Sequence, residues 1–241
     1  MQLVILCGGR GIRLMPNTSE FPKPLIEVGG KPILWHIMKI YSTYGYKDFI
    51  LCLGYLGDKI REHFSKPENK EPDWNIEFVD TGEETQTGGR IKRIEKLIKD
   101  DTFMATYADG VADIDINQLI AFHKFHGGMA TLTVVRPSTH YGILDVEPVK
   151  NKVITFIEKP VLDYWVNGGF FVFNKKIFEF INGDKDVLEK EVFSRILEKE
   201  GLYAYKHPGF WRCMDTLKDV NDLNDFWKKT KPWAVWKKIV A

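Results

Sequence analysis

The stretch LVILCGGRGIRLMPNTSEFPKPLI, residues 3–26, runs from one apolar segment to another through a long irregular connection. Leu3–Cys7 is apolar without alternation, which reads as a strand buried on both faces and hence as part of a parallel sheet. The connection after it holds Gly8, Gly9, Gly11, Arg10, Arg13, Lys23 and three prolines. Connections of this length are functional loops or disordered segments, and this one is pinned between core-forming residues. A loop leaving the carboxyl end of a parallel strand lies where open α/β sheets bind ligands. Its glycines let the backbone bend closely and aim N–H groups at anionic oxygens. Arg13 and Lys23 add positive charge suited to a triphosphate. The spacing matches neither G-x-G-x-x-G nor G-x-x-x-x-G-K-[ST], which sets aside the dinucleotide and P-loop fingerprints. Glycines and charges alone would serve a solvated surface loop equally well.

Outward from the loop, β-branched runs alternate with helical spacing. Strands are expected at Phe49–Leu53, Trp74–Asp80, Thr102–Tyr107 and Ala130–Val135, and helices at Ile33–Thr43, Asp58–Phe64, Gly88–Lys99 and Ile116–His126. This order predicts an α/β fold: a three-layer α/β/α sandwich around a mainly parallel, Rossmann-like mixed sheet. After Pro137 the pattern becomes hairpin-like, with short strands at Tyr141–Glu147, Lys152–Glu158 and Gly169–Phe173. A helix at Val187–Lys199, a strand at Tyr203–Lys206 and a helical tail at Leu217–Lys238, interrupted by Pro232, complete the chain. No repeat or linker divides the sequence, so residues 1–241 are expected to form a single domain.

Lys and Arg total 34 against 33 Asp and Glu, a net charge of +1, so no broad basic field points to nucleic acid. Cys7, Cys52 and Cys213 are widely separated and have neither zinc nor disulfide spacing. They read as free thiols of a reducing, cytoplasmic compartment. No leader is expected, because Met1 runs into apolar residues without a basic flank, and no run reaches membrane-span length. His123 and His126 lie three apart but lack a third ligand at a metal spacing. Trp227, Trp233 and Trp236 stand among lysines; an aromatic helix face packed on the body or on another subunit suits them better than a nucleic-acid platform.

The order of motifs goes further than any one of them. Gly8-Gly9-Arg10-Gly11-Ile12-Arg13-Leu14, then Pro22-Lys23-Pro24-Leu25, then Val28-Gly29-Gly30-Lys31-Pro32, resembles the sugar-phosphate nucleotidyltransferases. Downstream, Lys31–Met38, Val79-Asp80-Thr81-Gly82 with Thr87-Gly88-Gly89-Arg90, and Asp109-Gly110-Val111-Ala112-Asp113 are similar to its CTP-using branch. So are Asn167–Val172 and His207–Trp211 leading into Met214-Asp215-Thr216-Leu217. Two stretches depart from that branch: Ser65–Lys70 is shorter than its excursion there, and Val161–Trp165 brings in bulky aromatics. Ile12 stands where the family usually has threonine and offers no side-chain hydrogen bond.

The resemblance implies roles. Leu6, Gly8, Gly9, Gly11, Ile12, Arg13 and Lys23 would grip the nucleoside triphosphate, with Arg13 and Lys23 catalytic. Thr87, Gly88 and Gly89 would form the base-reading turn, which Arg90 would cap or read; locally Thr87 also reads as a helix N-cap. Asp109 and Asp215 would hold Mg²⁺, whose oxygen preference suits carboxylates, although a lone strand-end aspartate is more often a cap or turn residue. Asp113 and Asp115 belong to the start of the helix at Ile116. Gly110, Tyr141, Gly142, Glu158, Lys159, Asn167 and Gly168 would surround the acceptor, with Lys159 on its phosphate. Residues 1–136 would then be the nucleotide-binding part, 137–216 the sugar-phosphate part and 217–241 a helical tail.

The expected reaction is transfer of CMP from CTP to a sugar 1-phosphate, α-D-glucose 1-phosphate in that branch, in a homo-oligomer with no nucleic-acid or membrane partner. Three alternatives stay open at this point: UTP or dTTP or another acceptor in the same chemistry, a glycosyltransferase, and a non-catalytic nucleotide-sensing or assembly module.

Overall fold

Leu3 and Ile5 face one hydrophobic core while Val4 and Leu6 face another. The strand Leu3–Leu6 (β1) is therefore covered on both sides, as its unalternating sequence requires. The computed structural model describes residues 1–11, 14, 21–139, 141–199 and 201–237. The expectations placed on Ile12, Arg13 and Lys238 fall outside these residues.

Strands follow in chain order as β2 (Glu27–Val28), β3 (Lys31–Pro32), β4 (Asp48–Leu53), β5 (Asn75–Asp80), β6 (Thr102–Tyr107), β7 (Gly110–Ala112) and β8 (Ala130–Val135). Then come β9 (Ile143–Val146), β10 (Val153–Ile157), β11 (Val166–Asn174), β12 (Leu202–Lys206) and β13 (Trp211–Cys213). The helices are α1 (Ile33–Thr43), α2 (Gly57–Ser65), α3 (Thr87–Arg93), α4 (Ile116–His126), α5 (Phe193–Leu197) and α6 (Leu217–Lys229). Seven strands form the main sheet in the order β12-β8-β11-β6-β1-β4-β5. Neighbours pair in parallel except at β11, which runs antiparallel to both β6 and β8.

Helix α1 buries Leu34, Ile37, Met38 and Tyr41 on one face of this sheet, together with Ile60 and Phe64 of α2 and Leu119 of α4. The opposite face is covered by Ile91 of α3, Phe193 and Ile196 of α5 and the turn residues Ile177 and Phe178. Each such aliphatic or aromatic side chain contributes roughly 1.5–3 kcal/mol when fully buried. These are the three expected layers.

Several expected elements differ. Gly169–Phe173 is part of the nine-residue β11, a central strand rather than part of a hairpin. Asn167-Gly168-Gly169 reads locally as a turn but makes a bulge, with register shifting between Asn167 and Phe171. Gly88–Lys99 is not one helix: α3 ends at Arg93, and Ile94 (φ −102°, ψ 8°) leads into a separate turn at Glu95–Leu97. Val187–Lys199 begins as a wide turn at Leu188–Val192, whose amides converge on the Val187 carbonyl, before α5. The ribbon of β7 and β13 has no counterpart in the sequence reading.

The β9–β10 hairpin stands apart, with every residue of both strands exposed. The tail packs on the body: Trp233 is fully buried, and Trp227, Trp233 and Trp236 surround His36. His36 donates from Nε2 to the Val28 carbonyl (2.8 Å) and accepts from the Trp233 indole (3.3 Å). It is therefore neutral, and burial lowers its pKa to about 4. His123 and His126 both bond the Thr131 hydroxyl, which accounts for them structurally. Among the described residues, no helix is long and apolar enough to cross a membrane.

Candidate active site

Beyond the carboxyl end of β1, the chain opens a cavity of about 640 Å³ lined by Leu6, Gly8, Gly9 and Gly11, by Lys23, and by the 83–87 segment. Lys23 is presented by a short turn over Lys23–Leu25 in which Pro22 and Pro24 restrict the backbone and Pro24 and Leu25 are buried. Its ammonium donates to Asp109 Oδ2 and to Asp215 Oδ1, both at 2.7 Å. Asp109 follows β6, and Asp215 follows β13. The β7–β13 ribbon pairs Gly110 with Cys213, and the Met214 amide donates to the Asp109 carbonyl (2.9 Å). That ribbon is what sets two carboxylates from distant parts of the chain around one cation.

The three side chains are 12%, 28% and 24% exposed, so solvent screens them only in part. Burial alone would lower the Lys23 pKa, but the two carboxylates outweigh it and the value is raised. Lys23 is a permanent cation here. Cys213 remains a neutral thiol, its pKa pushed up to about 12 by burial and then by Asp215 and Asp109.

Arg90 follows Thr87-Gly88-Gly89 in α3 and lines the larger cavity. It is 4% exposed, and its terminal nitrogens donate to the carbonyls of Gly8, Leu53, Gly82 and Glu83 and to the Thr81 hydroxyl, at 2.7–3.1 Å. It ties the glycine loop to the segment after β5. A Cβ on Gly8 would overlap the guanidinium, so the glycine at that position makes room for Arg90. The expected site residue is thus at the site, with these donors holding the loop around it.

Thr87 is the first residue of α3 rather than its N-cap, which is Gln86. The Thr87 hydroxyl donates to Glu189 Oε2 (2.9 Å) and accepts from the Leu188 amide (2.8 Å). The amides of Gly88 and Gly89 donate to the Asp186 carbonyl. A Cβ on Gly88 would approach the Asp186 oxygen to 2.7 Å, and one on Gly89 the Asp184 oxygen to 2.6 Å. Close packing against residues 184–186 thus accounts for both glycines.

A second cavity of about 320 Å³ adjoins the first, with Tyr107 and Asp109 lining both. Its walls include Gly110, Asn167, Gly168, Trp211 and Asp215. Asn167 Nδ2 donates to the Tyr107 hydroxyl (3.1 Å), and Asn167 Oδ1 accepts from the Gly169 amide (2.9 Å). Tyr141, Gly142, Glu158 and Lys159 line neither cavity. Lys159 sits just past β10, 57% exposed and paired with its neighbour Glu158 (3.2 Å). The structure thus gathers Leu6, Gly8, Gly9, Gly11, Lys23, Thr87, Arg90, Asp109, Gly110, Asn167, Gly168 and Asp215, and leaves the hairpin residues outside. Asp115 caps α4 by accepting from the Gln118 amide, as expected. Tyr107 was not singled out from sequence; its position at the end of β6, two residues before Asp109, was the available signal.

A glycine loop at a strand end, a largely buried lysine and two convergent carboxylates thus meet beyond the carboxyl ends of β1 and β6. A family model for nucleotidyl transferases matches residues 2–231, and the chain belongs to that family. Among its relatives, the glucose-1-phosphate cytidylyltransferase of Salmonella typhi is 46% identical over 259 aligned positions, covering 98% of this chain and 100% of the relative. A probable glucose-1-phosphate cytidylyltransferase of Bacillus subtilis is 41% identical, with the same coverage of both chains. A structure of HddC from Yersinia pseudotuberculosis complexed with GMP-PN has a TM-score of 0.74 at 25% identity, covering 94% of this chain and 99% of that one. A putative glucose-1-phosphate thymidylyltransferase from Bacillus anthracis shares the fold, with a TM-score of 0.74 at 18% identity and 95% and 96% coverage.

Proposed function

We propose that the chain transfers CMP from CTP to α-D-glucose 1-phosphate and releases pyrophosphate. The observation that carries this reading is Lys23 held between Asp109 and Asp215 where the two cavities meet. The glycine-lined cavity suits the triphosphate, and the smaller cavity with Asn167 and Gly168 suits the sugar. An acceptor phosphate oxygen attacks the α-phosphorus in line, the bond from that phosphorus to the bridging oxygen of pyrophosphate breaks, and pyrophosphate leaves. The acceptor is already an anion at neutral pH, so no general base is required. Positioning and charge stabilisation supply the rate, and Lys23 contributes both. The choice of cytosine and glucose is supported by the two relatives above.

Asp109 and Asp215 fit a divalent cation such as Mg²⁺. They offer the hard oxygen ligands that Mg²⁺ prefers, and phosphate oxygens and waters would fill its remaining positions. When bound, the ion would neutralise charge on the triphosphate. The acceptor-phosphate role implied for Lys159 gains no support from the cavity walls. The exposed apolar hairpin, with Phe156 60% and Ile154 59% exposed, supports a homo-oligomer in which a second copy covers it; gel filtration tests that.

The experiment is a pyrophosphate-release screen of nucleoside triphosphates against sugar 1-phosphates, with and without Mg²⁺. Release with CTP and glucose 1-phosphate above all other pairs is expected. Preference for another nucleotide or sugar would overturn the substrate assignment and keep the chemistry.

A further inference from the structure

Behind the two cavities runs a chain of hydrogen bonds that the proposed reaction leaves unused. It starts at Asn167, beside the acceptor cavity, whose Nδ2 donates to the Tyr107 hydroxyl (3.1 Å). Tyr107 donates in turn to Glu189 Oε1. From the nucleotide side, the Thr87 hydroxyl donates to Glu189 Oε2 (2.9 Å) while accepting from the Leu188 amide (2.8 Å). Glu189 itself comes from the wide turn Leu188–Val192, 102 residues from Thr87 and 82 from Tyr107, and lines neither cavity.

The direction of this chain follows from its members. An ionised carboxylate only accepts, so both hydroxyls must point their single hydrogens at Glu189. The Tyr107 oxygen is then available only as an acceptor, and it is met by an Asn167 N–H. At its other end the Asn167 amide is held by the Gly169 N–H on Oδ1 (2.9 Å). Reversing the amide would set Oδ1 against the Tyr107 oxygen and Nδ2 against the Gly169 N–H. Each of those part-buried mismatches would replace a hydrogen bond.

We infer that Glu189 is a positioning residue for the acceptor: through Tyr107 it fixes which face of the Asn167 amide meets the sugar phosphate. The inference rests on the assignment of the Asn167 cavity to the acceptor. Without the carboxylate the Tyr107 hydrogen loses its acceptor and is free to turn toward Asn167 in competition with the Asn167 N–H, leaving the amide held by the Gly169 N–H alone. Acceptor recognition then weakens, while Lys23, Asp109 and Asp215 keep their mutual bonds and the chemical step is spared.

The test is initial-rate kinetics of pyrophosphate release for wild type, Glu189→Ala, Glu189→Gln and Tyr107→Phe. Glu189→Ala is expected to raise KM for glucose 1-phosphate about tenfold, the effect of one lost hydrogen bond of about 1.4 kcal/mol, while kcat changes less than threefold. Glu189→Gln should recover most of that KM, because its amide oxygen still accepts from Tyr107 while its N–H donates to the Thr87 oxygen. Tyr107→Phe keeps the ring's packing and should reproduce the Glu189→Ala phenotype. The double variant Tyr107→Phe/Glu189→Ala should be no worse than either single change.

An acceptor KM within twofold of wild type in both Glu189→Ala and Tyr107→Phe would overturn the inference and leave the proposed function standing. Equal losses of kcat and of both KM values, not relieved by Gln, would overturn it too, as a purely structural effect. Should wild type turn over a different substrate pair, the substrate assignment fails, and the same split is read on the acceptor of that pair with the same two outcomes.

Discussion

Replacing Arg90 by alanine separates two roles for a residue in the glycine-rich turn: reading the nucleotide base, or building the loop that holds the nucleotide. In the structure its guanidinium serves five acceptors, three of which are reached by fully buried bonds: Leu53 O, the Thr81 hydroxyl and Gly8 O. Two of the three keep another donor when Arg90 is gone, since Leu53 O also accepts from Thr81 and Gly8 O from the Tyr55 amide. The loss per acceptor therefore belongs at the low end of the penalty for stranded groups, about 1 kcal/mol each, or about 3 kcal/mol together. For a chain of this size that is a fall of roughly 6–12 °C in Tm, read by thermal unfolding without ligands. Arg90→Lys, with three donors for five acceptors, should fall between. The same logic couples two positions. Gly8→Ala should be strongly destabilising beside Arg90 and well tolerated in the Arg90→Ala background, where the overlapping guanidinium is absent. An Arg90→Ala protein that melts like wild type and loses only affinity for CTP would refute this reasoning and return Arg90 to base recognition.

Two other perturbations follow from the same geometry. Lys23→Ala should cut turnover by about 10²-fold or more, the scale of losing a fixed donor at a developing charge; near-normal pyrophosphate release would remove the lysine from the mechanism. The protein should lose stability on acidification, because burial lowers the pKa of His36 and of His123 from 6.5 to about 4. Unfolded histidines take up protons near pH 6.5 and these folded ones only near 4. Stability is thus full above about 6.5 and falls through that window by up to ~1.4 kcal/mol per pH unit for each. Urea midpoints at pH 7 and pH 5 check this, and a higher midpoint at pH 5 would contradict it.

Much of the fold was legible because its elements are long and bounded by clear turns. The expected bounds of Ile33–Thr43, Thr102–Tyr107, Ile116–His126 and Ala130–Val135 are those observed. Local pattern failed where the deciding partner is remote. Gly110–Ala112 and Trp211–Cys213 are three residues each, too short to show a period, and they form strands only because they pair with each other. Asn167-Gly168-Gly169 has the chemistry of a turn, yet flanking Val166 and the run Phe170–Phe173 draw it into the sheet as a bulge. Lys23 lies 86 and 192 residues from the carboxylates it bridges. Only the order of motifs along the chain suggested that they meet. Nothing local distinguishes Arg90 from a solvated helix arginine, since its acceptors are backbone oxygens of other loops. Glu189 is equally silent, one of several glutamates in an ordinary-looking helical stretch.

In the proposed reaction Lys23, Asp109 and Asp215 act together on one set of reacting phosphates. The most direct test of this is the rate of pyrophosphate release by wild type and Asp215→Asn with CTP, glucose 1-phosphate and Mg²⁺, at matched folded concentration. Wild type is expected to release pyrophosphate rapidly only when both substrates are present, and the variant to be slower by about 10²-fold or more. An Asp215→Asn protein as fast as wild type, with the same dependence on Mg²⁺, would contradict it.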